Sequence, residues 1–143
     1  MLNKFVLIAV FLIPFLSRSQ NVPDESKLIF QIDFQDQFKK DTVSCTLNNH
    51  IIFSRVILTS DPVLGITDKI VKIYTKGKDK MEVYSNGLTS VIEYSQTLDL
   101  TITINSNKRM YTANLNKGKF LGISKAYKDD IYVMQSARHF QYD

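Results

Sequence analysis

The sequence predicts an all-β fold: an antiparallel two-sheet β-sandwich of nine or ten short strands, preceded by a cleaved signal peptide. Three observations carry it. Apolar and polar residues alternate with a period of two, most regularly in Leu98–Ile104, where Leu98, Leu100, Ile102 and Ile104 oppose Asp99, Thr101 and Thr103. Turn residues recur about every 8 to 12 positions, the spacing of a sandwich or barrel. No segment after the opening one holds a helical period for three turns.

The first element is the export signal. Lys4 precedes an apolar run from Phe5 to Leu16, shorter than the roughly 20 residues that span a bilayer. Ser17 and Ser19 then supply the small-x-small pattern of a signal peptidase site. Residues 1–19 are thus expected to be removed, so no stable membrane span remains and the protein acts in the periplasm, at the cell surface or outside the cell. The formal charge of +4 loses two units with Lys4 and Arg18, which leaves no argument for nucleic acid as a partner.

A polar leader, residues 20–26, leads into a single domain over 27–143. In KLIFQIDF, Leu28, Phe30, Ile32 and Phe34 share a face. DTVSCTL and IIFSRVIL flank the Asn48-Asn49-His50 turn, and asparagine tolerates the left-handed backbone of a tight hairpin. The segment 60–68, with Pro62 and Gly65, is a longer connection to KIVKIYT. KMEVY and LTSVIEY follow, joined through Asn86-Gly87, a pair favoured in type I′ turns. LDLTITI and RMYTANL make the next hairpin, FLGIS follows a turn at Gly118, and AYKDD turns the chain into IYVMQ. The tail SARHFQYD is expected either as an edge strand or lying over the sheet. The length and the one-sided apolar strands fit an immunoglobulin-like or related Greek-key arrangement.

One cysteine excludes an internal disulfide, so stability must come from packing. Cys45 alternates with Val43 and Leu47 and is expected in the core. Histidine is scarce, with only His50 and His139, and no nucleophile elbow, zinc motif or phosphate loop is present. No catalytic, cofactor or metal residues are therefore expected. Calcium is the single ion the composition leaves open, through Asp61, Asp68, Asp129 and Asp130, all of which also read as turn residues.

The most suggestive surface is aromatic. Tyr74, Tyr84 and Tyr132 fall on the polar side of their strands, where phenol rings stack sugars or anchor a protein partner. The expected function is a non-enzymatic binding or interaction module with a protein or glycan partner. Two alternatives are a structural subunit that joins a partner by strand addition and a glycan-acting enzyme using a carboxylate pair such as Glu82 and Glu93.

Overall fold

The computed structural model describes residues 23–142, so the expected signal peptide and the start of the expected leader lie outside the described residues. These form ten strands: β1 Leu28–Phe34, β2 Lys39–Leu47, β3 His50–Thr59, β4 Ile70–Lys76, β5 Lys80–Ser85, β6 Leu88–Glu93, β7 Thr97–Ile104, β8 Asn107–Asn114, β9 Phe120–Lys125 and β10 Ile131–Ser136. Three single 3₁₀ turns accompany them, and no α-helix occurs among the described residues.

The strands form two sheets, of order β10-β9-β1-β4-β5-β6 and β3-β2-β7-β8. The hairpins follow the turn chemistry. Asn48 and Asn49 both take positive φ, as a type I′ turn requires. Asn105 also sits at positive φ, and its Oδ1 accepts the Thr42 N–H at 3.0 Å, tying the β7–β8 turn to β2.

One expectation is corrected. The larger sheet is mixed, because β1 runs parallel to β9 while its other pairs are antiparallel. Gln31 N–H donates to Lys119 O at 2.8 Å, and Gln35 N–H to Ile123 O at 2.8 Å. The chain reaches β9 from the smaller sheet and enters beside β1 in the same direction. Alternation cannot encode this, since parallel and antiparallel strands share a period of two.

The apolar faces meet between the sheets. Phe30, Ile32 and Phe34 of β1, Val71 and Ile73 of β4, and Leu121 and Ile123 of β9 face Val43, Cys45 and Leu47 of β2 and the Leu98–Ile104 set of β7. The ring of Phe34 stands edge-on to Phe53 at 5.3 Å and tilted against Phe38 at 6.2 Å, joining β1, the β1–β2 bridge and β3. The opposite face of β7 is the outer surface of the smaller sheet, where Thr101 and Thr103 pair with Thr46 and Ser44.

One lateral opening of the sandwich is closed by polar side chains on backbone. Arg109 of β8 donates to Ile131 O at 2.9 Å, and Gln135 of β10 donates to Asn114 O and Gly118 O, each at 2.7 Å. Gly118 is required there: at φ +138°, a Cβ would lie 2.3 Å from Ser136 O.

Candidate functional site

The outer face of the six-stranded sheet collects all three tyrosines, but not as one surface. Tyr74 pairs with Glu82 across β4–β5, and Tyr84 with Lys72, so the two rings are diagonal neighbours. Tyr74 is only 3% exposed. The 3₁₀ turn Glu25–Lys27, capped by Asp24, brings Glu25 over it. Glu25 Oε1 accepts from the Tyr74 hydroxyl at 3.0 Å and from Lys72 Nζ at 2.7 Å. Burial, then the neighbouring Glu25 carboxylate, pushes the Tyr74 phenol up to about 12. Tyr132 is 57% exposed on β10, three strands from β4.

Between these places runs the C-terminal tail, which is not an edge strand. Residues 137–142 lie over β1 and β9 and explain why Gln31 and Asp33 are buried on the side of β1 away from the core. Gln31 Nε2 donates to Asp33 Oδ1 at 2.8 Å and also meets His139 Nε2 at 3.2 Å. His139 Nδ1 lies 2.7 Å from Phe140 O, so these partners assign its proton to Nδ1. The imidazole stands edge-on to Phe120, with centroids 4.9 Å apart. Tyr142 accepts from Gln35 Nε2 at 2.9 Å and lies 3.5 Å from Asp33 Oδ2. Desolvation holds the Asp33 carboxyl above the usual range, and burial pushes the Tyr142 phenol up to about 12.

The end of the tail walls an open cleft of about 880 Å³ with two other segments, Gln35–Lys40 and Thr59–Gly65. These segments are stitched together beneath it. Phe38 N–H donates to Ser60 Oγ at 3.0 Å, Ser60 N–H to Phe38 O at 2.9 Å, and Ser60 Oγ to Gln35 O at 2.7 Å. Phe38 itself is buried in the core. One wall is held rigid by Asp61, whose Oδ1 accepts from Val63 N–H at 2.8 Å and Leu64 N–H at 2.9 Å. These two bonds keep the Asp61 carboxyl below its ordinary value. The turn displays Val63, 79% exposed, and Leu64, 49% exposed. Lys39 and Lys40, both exposed, line the same cleft.

The remaining candidates are dispersed. Asp61 is committed to its turn, Asp68 lies beside Lys69 in the β3–β4 connection, Asp129 pairs with Lys125 at 3.3 Å, and Asp130 accepts the Ile131 N–H at 2.8 Å. Among the described residues no three His, Cys, Asp or Glu side chains gather as metal ligands. Glu82 and Glu93 share the outer face of β5 and β6, each bonded to a lysine, Glu82 to Lys76 at 3.1 Å and Glu93 to Lys80. Cys45 is fully buried, and desolvation pushes its thiol up to about 12, far from a reactive thiolate. No helix among the described residues is long and apolar enough to cross a membrane.

The cleft was not foreseen from the sequence. Pro62 and Gly65 mark a connection without saying what it faces, and nothing local tells where the tail returns. Compared with protein families, with curated proteins and with solved structures, the chain finds no match.

Proposed function

We propose that this chain is a non-enzymatic binding module, exported by its opening segment, and that the cleft walled by residues 35–40, 59–65 and the tail is its binding site. One observation carries the reading: Val63 and Leu64, large apolar residues, are displayed on a turn held in place by Asp61. Exposed apolar side chains on an ordered turn lose little entropy when covered, so their burial is available for affinity. Fully covering one such side chain is worth about 1.5–3 kcal/mol.

The ligand best matched to this cleft is a protein segment that inserts an apolar side chain against Val63 and Leu64 while its polar groups meet Lys39, Lys40 and Gln37. A glycan partner held on the Tyr84 and Tyr132 surfaces is the second reading, supported by the exposure of Tyr132. For the scaffold we propose an immunoglobulin-like or related Greek-key sandwich, supported by the four crossings of the chain between its sheets.

Protein captured from an envelope or secreted fraction, followed by titration of the purified partner, tests the site. Leu64→Asp is expected to weaken binding at least about tenfold, the loss of roughly 1.4 kcal/mol, with an unchanged melting temperature. Binding that is indifferent to Leu64→Asp and Lys40→Glu but lost in Tyr132→Ala would overturn the cleft in favour of the tyrosine surface.

A further inference from the structure

A sandwich has four edges, and three of them are guarded here. The β8 and β10 edges are bridged to one another by Arg109 and Gln135, as described above. The β3 edge is irregular: its register with β2 shifts at several points, and Arg55 takes positive φ, a bulge that discourages pairing. The fourth edge, β6, carries neither proline nor lysine, and among the described residues no strand pairs with its outer side.

The register shows which backbone groups are free. Asn86-Gly87 closes a two-residue hairpin, so the flanking pair Ser85↔Leu88 exchanges hydrogen bonds, as do Val83↔Ser90 and Met81↔Ile92 in alternation. Tyr94 N–H donating to Asp79 O at 2.8 Å continues the same phase. The N–H and C=O groups of Thr89, Val91 and Glu93 therefore point away from β5. Their side chains lie on the outer face, while Leu88, Ser90 and Ile92 face the other way.

We propose that β6 pairs with β6 of a second copy of this chain, antiparallel about a two-fold axis at Val91, joining two six-stranded sheets into one. This surface is separate from the cleft and does not depend on the function proposed there. With Val91 opposite Val91 of the second copy, Thr89 opposes Glu93, and all three free residues of each strand are used, in about six N–H···O bonds. No like charges face each other. Glu93 meets a threonine hydroxyl and is already neutralised by its own Lys80. On the other face, Leu88, 74% exposed, comes opposite Tyr94, 43% exposed, and Ser90 opposite Ile92. Leu88 and Tyr94 thus gain apolar cover that the single chain does not provide. The self-complementarity of this register singles out a second copy as the partner.

Sedimentation of the full-length chain, with and without substitution, tests the pairing. The native protein is expected to be dimeric at about 100 µM, a concentration at which even a weak specific contact is populated. Val91→Lys sets two lysines against each other, and Val91→Pro removes a free donor without touching the β5 ladder. Both are expected to be monomers. Val91→Cys should cross-link under mild oxidation, because a hydrogen-bonded antiparallel pair holds its Cα atoms about 5.5 Å apart. Thr89→Cys should not, its copies being four residues out of register, about 13 Å. A native monomer at that concentration, a Val91→Lys dimer, or equal cross-linking at both positions would overturn the proposal.

Discussion

At the scale of single residues, the most consequential group is Asp41. It is 5% exposed, yet its carboxylate is fully occupied. It accepts from Lys39 N–H at 2.7 Å, Asn105 Nδ2 at 2.8 Å and Lys125 Nζ at 3.0 Å. Burial by itself would raise the carboxyl, but these three donors together hold it below its ordinary value. Because the folded value lies below the unfolded one, the stabilisation is whole above about pH 5 and fades as acid protonates the folded carboxyl. Asp41→Asn is expected to cost about 1–3 kcal/mol at pH 7, as for a partly emptied buried network. Urea titrations should show the two proteins converging as the pH falls below about 5. A gap independent of pH would show that shape, not charge, is what Asp41 contributes.

At the scale of elements, the tail and β9 depend on one close approach. Gly122 lies under the Gln35 side chain, and a Cβ there would come within 2.5 Å of Gln35 Oε1. The obstacle is the far end of a flexible side chain, so Gly122→Ala should be tolerated by swinging Gln35 outward. That movement breaks the bond from Gln35 to Tyr142. The expected result is a loss near 1 kcal/mol, with faster tryptic cleavage after Arg138, which is exposed in the tail. Unchanged cleavage would mean that His139 and Phe120 hold the tail without Tyr142.

Legibility also differs by element. The strands were readable from alternation, as in β1, β2 and β7, or from the turn residues that flank them, as for β3 and β6, because side-chain direction and backbone handedness are local properties. Gln31 and Asp33 were readable only as the polar side of a strand, and their burial has no local signal because a segment roughly a hundred residues away covers them. Tyr74 likewise looked like a surface ring until Glu25 was placed over it.

At the scale of the whole molecule, Cys45 reports on the opening of the sandwich. It lies between the sheets at 0% exposure, and its thiol is held far above neutral pH by desolvation. An alkylating reagent at pH 8 is expected to modify it only through unfolding, so labelling should follow the global stability measured by denaturant. Rapid labelling of the native protein would show local opening between β2 and β3, the strands on which Cys45 and Phe53 pair.

The sequence by itself determined what goes inside: the Leu, Ile, Val and Phe positions of period two, the single buried cysteine and the tight turns, since each follows from side-chain chemistry and backbone preference within a few residues. Only the tertiary structure decided that β1 runs parallel to β9, that the tail lies across them, that Gln35–Lys40 and Thr59–Gly65 wall one cleft, and that β6 is left unpaired on its outer side among the described residues. Those are relations between distant segments. They are set by which faces pack and which way the chain crosses between sheets, and a pattern of period two is the same whichever neighbour a strand acquires.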